Sequence, residues 1–417
     1  MNPRKLFIAS CIALITTSMV FSIRGDILDS LGADFHLSKE QLGMILSPAF
    51  WGFTLSILIG GSLVDFFGMR NLLLVSAAGY LIGPLAIIFA PRNEGSFNLL
   101  YGAMLILGLS QGLVEGVINP LCATMFPNEK TRRMNILHAW WPGGLIIGGL
   151  ASYLLTKVLG LDAGVVPPEI RTFGWQIKLA LIMVPAVIFA VMVWKEKFPA
   201  TEREAAGVSN GEMIGELFKP MFILWWICMW MTASTELGPD QWVGSVITNL
   251  AGMQGILILV YTAGLMFLLR FFGGNLTRGY SPMAVLTTSA VLSGLGLYWL
   301  STVTSPVQAF MAATVFGVGK TYFWPLMLGV TSERFPKGGP LALAVMGGTG
   351  NLAVAFILPM MGAWYEQHGA AAAFRYVSVL PVVLTAIFAG LYFYYRSQGG
   401  YRAVSIGGGA AAASQGH

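Results

Sequence analysis

Gly108-Leu-Ser-Gln-Gly-Leu-Val-Glu-Gly-Val-Ile-Asn-Pro-Leu121 is the stretch whose reading decides the fold. It lies in an apolar run from near Leu99 to near Phe126, long enough to cross a bilayer. Glu115 sits near the middle of that run. A carboxylate at such depth costs about 2.5–3.5 kcal/mol on insertion scales, so it is normally paired, turned to a cavity or protonated. Gln111 and Asn119 lie one helical turn before and after it and project from the same face. A polar stripe down an apolar helix predicts a lined pathway through a membrane protein.

The composition agrees. Of 417 residues, 56% are hydrophobic and 10% charged, with a mean hydropathy of +0.71. Soluble domains carry about 25% charged residues. The apolar runs are continuous over about 20 residues, which excludes the alternating ~10-residue segments of a transmembrane barrel. The 51 glycines suit closely packed membrane helices. Cys11, Cys122 and Cys228 all fall in apolar runs, so no disulfide is expected. The net charge of +5 reflects topology, and no nucleic-acid partner is expected. The opening Met-Asn-Pro-Arg-Lys and its apolar run read as an uncleaved first span.

Twelve spans follow, at about 5–31, 41–67, 70–90, 98–126, 136–159, 175–195, 220–247, 252–275, 282–303, 306–331, 340–364 and 373–396. They divide into a half at 1–195, a charged cytoplasmic linker at 196–219, a half at 220–396, and a Gly/Ala-rich disordered cytoplasmic tail at 397–417. Placing both termini in the cytoplasm puts sixteen of the 24 lysines and arginines inside and six outside, with Arg24 and Lys320 in the membrane. The expectation is a multi-pass cell-membrane protein, of a bacterial inner membrane, and a monomer.

The halves repeat. Asn119-Pro-Leu121 aligns with Trp324-Pro-Leu326, which sets Gly112 on Gly317 and Glu115 on Lys320. Gly61-Ser-Leu-Val-Asp-Phe-Phe-Gly-Met-Arg70 resembles the loop signature of the major facilitators, and Gly274-Asn-Leu-Thr-Arg-Gly-Tyr-Ser-Pro282 is its degraded copy. The resemblance implies an all-α major facilitator fold, two pseudo-symmetric six-helix halves rocking about a central site. It also implies a conformational latch from Gly61, Asp65, Gly68, Arg70 and Arg278.

A narrower likeness covers the first five spans: Ser22-Ile-Arg-Gly-Asp-Ile-Leu28, Glu115-Gly-Val-Ile-Asn-Pro120 and Arg133-Met-Asn-Ile-Leu-His-Ala-Trp-Trp-Pro-Gly-Gly144. These resemble the fucose–proton symporters, a family that includes glucose/galactose transporters. That resemblance implies proton coupling at Asp26 and Glu115, and sugar contacts from Asn135 and His138. Arg24 and the Trp140-Trp141 pair depart from the family pattern.

Other membrane-embedded polar or aromatic residues complete the expected substrate site: Arg24, Gln111, Asn119, Trp141, Glu236, Lys320, Trp324 and Asn351. Arg24 and Asp26 are two apart and point to nearly opposite faces of a regular helix, so either Gly25 loosens the helix or only one of them faces the cavity; a pair of Arg24 with Asp26 or with Glu115 would hold the acid ionised. Pro239 is expected to break the seventh span. Asp240 and Gln241 are placed nearer the outer surface. No Walker loop, metal cluster or catalytic constellation stands out, so neither an enzyme, an ATP-driven pump nor a cofactor is expected. The reading is a proton-coupled symporter of a small hydroxylated solute, most simply a monosaccharide. Its alternatives are a sodium-coupled sugar symporter, an organic anion carrier using Arg24 and Lys320, and a non-transporting membrane sensor.

Overall fold

A computed structural model describes residues 2–126, 130–161, 168–199, 210–272, 280–402 and 404. Arg278 lies outside the described residues, as do most of the tail and part of the linker. For Gly61, Asp65 and Asn135 only the helical backbone is described.

Among the described residues the regular structure is entirely helical. The helices are α1 (Pro3–Asp26), α2 (Leu28–Phe35), α3 (Lys39–Phe67), α4 (Met69–Ile88), α5 (Phe97–Met125), α6 (Lys130–Val158), α7 (Pro168–Ala180), α8 (Met183–Val193) and α9 (Asn210–Leu217). The second half holds α10 (Pro220–Ala251), α11 (Ile256–Phe272), α12 (Pro282–Leu300), α13 (Pro306–Lys320), α14 (Phe323–Arg334), α15 (Gly339–His368), α16 (Ala370–Val377) and α17 (Val379–Ser397). They make the twelve expected spans. Spans one, six, ten and twelve are each interrupted, so α1–α2, α7–α8, α13–α14 and α16–α17 count as one span apiece. α9 is the short helix of the linker.

Local chemistry sets many of the boundaries. Asn2, Ser281 and Ser305 accept a backbone N–H from the first turns of α1, α12 and α13, each followed by a proline at the first helical position. Gly68 separates α3 from α4 at φ 77°, the tight turn expected of the loop signature. Pro239 does not break its span. α10 runs through it for 32 residues, because neighbouring helices hold the segment while the proline removes only one hydrogen bond.

Small residues let the helices close up. Gly108 of α5 packs on the Ala49 carbonyl of α3, and Gly296 of α12 packs on the Phe316 backbone of α13. The two halves meet most closely at the end remote from the chain termini, here the far end. There Gly43 lies on the Leu358 carbonyl, Gly362 on the Lys39 carbonyl, and Gly25 and Gly244 bring α1 and α10 together. Gly25 is thus a point of close approach, with α1 helical up to Asp26.

Polar contacts reinforce this seam. Ser245 donates to Asp29 (2.7 Å) and Lys39 reaches both Asp29 and Ser245, while on the second-half side Asn249 donates to the Tyr365 hydroxyl (2.9 Å). Nearer the middle, Thr54 donates to the Gly348 carbonyl at 2.6 Å. At the termini end, Lys5 donates to Glu196 just after the first half (2.9 Å) and holds that carboxyl below its ordinary range.

Candidate substrate and coupling site

The polar stripe of α5 spreads over three levels of the first half. Gln111 donates to the Thr17 carbonyl of α1 (3.1 Å). Asn119 accepts from the His138 ring of α6 (2.9 Å). Between them Glu115 makes no hydrogen bond or ion pair with any described residue, and its side chain is partly exposed. Its near surroundings include Tyr80, whose hydroxyl is shared with Thr17 at 2.7 Å.

Arg24 lies close to where α1 meets α10. It is 2% exposed, and its guanidinium sits over the rings of Phe50 (4.8 Å) and Phe21 (5.7 Å). Its Nε donates to Gln241 Oε1 (2.8 Å), and Gln241 Nε2 donates to the Phe21 carbonyl (2.9 Å). Arg24 therefore pairs with neither Asp26 nor Glu115. Its Nη1 is buried without a hydrogen-bond partner. Asp26 instead accepts from Lys178 and Ser152, both at 2.6 Å, wholly within the first half. The helix geometry explains the divergence: residues two apart point to different faces, so Arg24 meets α10 while Asp26 meets α6 and α7.

The second half carries a denser charge network. Lys320, at the end of α13, donates to both Asp240 oxygens at 2.5 and 2.7 Å, and both residues are buried. Lys320 is thus held by a carboxylate, where the sequence left it open as a counter-ion for substrate. One turn earlier on α10, Glu236 faces Arg270 of α11 at 3.5 Å. The interruption between α13 and α14 exposes carbonyls that α11 meets: Arg270 Nε donates to Thr321 O (3.0 Å). Arg270 is also felt electrostatically at His138, so α6 and α11 face each other across the seam.

The remaining expected residues divide. Trp141 packs edge-on against Phe21 (6.2 Å) and Trp324 packs over Gly350, beside Glu236. Asn351 donates to the Gly347 carbonyl of its own helix (3.2 Å), a contact within its own turn. Arg70 is exposed at the start of α4.

Sequence reasoning missed four participants. Asp240 and Gln241 are buried, not surface-proximal. Lys178 and Arg270, counted among the loop charges, are inside the bundle as partners of Asp26 and Glu236. Only Asp240 had a usable signal, a buried acid and Lys320 of opposite sign in one half.

Exposure rises along the seam. Arg24, Gln241 and Ser245 at the far end are nearly inaccessible, whereas Glu115, Asn119, His138 and Trp141 are partly open and the Arg270 side chain is 26% exposed. The site is shut at the far end and more accessible towards the termini.

A twelve-span bundle with charged residues at the seam of its two halves defines a secondary membrane transporter. The chain belongs to the Major Facilitator Superfamily, which it matches over residues 6–338. Over 143 residues it is 30% identical to a probable chloroplastic anion transporter (number 6) of Arabidopsis thaliana, covering 34% of this chain but only 24% of that protein's length. It is 21% identical over 369 residues to the cis,cis-muconate transport protein of Acinetobacter baylyi, covering 83% of each. Its fold is similar to a partially occluded inward-open conformation of the xylose transporter XylE from E. coli: TM-score 0.76, 12% identity, 93% of this chain and 97% of that one. These comparisons support the superfamily. The narrower kinship with fucose–proton symporters gains no support from them.

Proposed function

We propose that this chain is a proton-coupled symporter of a small organic anion, working by alternating access between the halves 1–195 and 220–396. The observation that carries this reading is Arg24. An arginine buried in a span, held by a neutral glutamine and left with an unpartnered Nη1, is a costly arrangement. A substrate carboxylate would satisfy the idle donor in a charge-assisted hydrogen bond. The phenyl faces of Phe21 and Phe50 give the same place an apolar wall. The anion and muconate carriers among the relatives support an anionic substrate.

Glu115 is the coupling acid of this reading. Among the described residues it has no cation to neutralise it, so a proton is what removes its charge while the site is closed to water. Asp26, expected beside it in that role, is here an ion-paired anchor for α6 and α7. The termini face the cytoplasm and the far end faces out, so the present arrangement is the inward-facing one. The latch residues Gly61, Asp65, Gly68, Arg70 and Arg278 act in the opposite state.

A sugar substrate is the second reading. It is favoured by the polar and aromatic set Asn119, His138 and Trp141 on the accessible side of the seam. Uptake into proteoliposomes under an inward proton gradient separates the two. Labelled organic acids should accumulate in the wild type and fail to do so in Arg24→Gln, while neutral sugars neither accumulate nor compete. Accumulation of a sugar unaffected by organic acids would reject the anion reading. Accumulation that follows sodium at fixed pH would reject the proton.

A further inference from the structure

Arg24 is held differently from other cations inside the bundle. Lys178 faces the Asp26 carboxylate, Lys320 faces Asp240 and Arg270 faces Glu236. Arg24 makes no ion pair among the described residues and faces the amide of Gln241 instead. Arg24 and Gln241 are 2% and 0% exposed, so the guanidinium sits away from bulk water with a neutral partner.

Gln241 is fixed at three points on α1. Its Oε1 accepts from Arg24 Nε (2.8 Å), and its Nε2 donates to the Phe21 carbonyl, one turn earlier (2.9 Å). Its backbone carbonyl lies where a Cβ on Gly25 would meet it at 3.1 Å. The two side-chain bonds also fix which way the amide points. Turned over, it would set an N–H against the guanidinium and an oxygen against the carbonyl, two repulsive contacts. The position therefore calls for a side chain that accepts at one end and donates at the other. Glutamine does both and is neutral. A glutamate has the same length but lacks the donor. Its second oxygen would be repelled by the Phe21 carbonyl and would turn to the guanidinium, closing it as an ion pair.

That ion pair would be lower in energy than the arrangement present. A buried arginine with an idle Nη1 lowers stability, and a carboxylate in place of the amide would remove much of that cost. We infer that Gln241 is a specificity-determining residue: it aims Arg24 without neutralising it, and so leaves the charge for the carboxylate of the substrate. This rests on the anion reading given above and deepens it. Neighbouring acids do not supply the missing charge. Asp26, two residues along α1, is held by Lys178, and Asp240, next to Gln241, is held by Lys320. Phe21 and Phe50 offer the guanidinium only their ring faces.

The test measures binding of lactate, benzoate and nicotinate, each against its methyl ester, to the full chain in lipid nanodiscs, with the melting temperature recorded alongside. Wild type should bind at least one acid about tenfold or more tightly than its ester. Gln241→Glu should bring that ratio near one by weakening the acid, and should melt no lower than wild type. Gln241→Met, which removes both hydrogen bonds and adds no charge, should melt lower yet keep a preference for the acid. Stability and selectivity thus move in opposite directions, which a merely structural glutamine would not produce. A wild-type preference surviving in Gln241→Glu, a melting temperature below wild type in that variant, or an equal loss of preference in Gln241→Met would overturn the inference and leave the anion reading standing. A wild type that prefers none of the acids to its ester would overturn both.

Discussion

The Lys320–Asp240 pair gives the sharpest prediction about energetics. Its ammonium lies 2.5 and 2.7 Å from the two carboxylate oxygens, and the side chains are 1% and 5% exposed. At an effective dielectric of about 20 the attraction at this distance is on the order of 6 kcal/mol. Desolvating two ions costs several kcal/mol each, so the pair as a whole contributes little net stability. Removing one member leaves the other buried and alone, at a cost of about 3–5 kcal/mol. Lys320→Met and Asp240→Asn should therefore each lower stability strongly in a denaturation assay in detergent micelles. The double variant should recover most of the loss, with a coupling energy above about 2 kcal/mol. If Lys320→Met instead kept wild-type stability and lost only substrate affinity, Lys320 would be a substrate ligand and the pairing argument would fail.

Three further outcomes follow from the same geometry. Asp26→Asn should destabilise by about 3–5 kcal/mol, with rescue by a second change, Lys178→Met, and without altering the proton dependence of uptake; a lost proton dependence with normal stability would return Asp26 to coupling. Gly43→Ala and Gly362→Ala drive a methyl into the backbone of the opposite half, so they should prise open the far end. Alkylation of a cysteine placed by Ser245→Cys should then rise several-fold, and unchanged labelling would contradict the closed seam. Gly108→Val should cost about 1–3 kcal/mol of thermal stability by forcing α5 away from Ala49, and an unshifted melting temperature would show that the helices can part there freely.

Much of the architecture was legible because the bilayer fixes it in one dimension. Span length reads directly from the chain, and the twelve spans stand where expected. Glu115 stood out as a candidate for the same reason: a carboxylate deep in an apolar run has few explanations. Partners were not. Which face of α1 carries Arg24, and that it meets Gln241 rather than Asp26, depends on how α1 and α10 pack through Gly25 and Gly244. Arg270 and Lys178 looked like end-of-helix charges, and only the crossing of helices brings them to Glu236 and Asp26. Pro239 misled because local propensity marks a break that tertiary packing overrides. Lys320 misled in the opposite direction, since a buried lysine looked available until Asp240 was found against it.

The central claim is that an unpartnered Glu115 takes the coupling proton for a carboxylate bound at Arg24. The most direct test loads wild type and Glu115→Gln into proteoliposomes and follows one labelled organic acid in two modes. Wild type should accumulate it against its gradient when protons are driven inward, and a protonophore should abolish this. Glu115→Gln should lose accumulation yet still exchange internal for external substrate, because a permanently neutral side chain mimics the loaded state. Proton-driven accumulation that survives in Glu115→Gln would contradict the account.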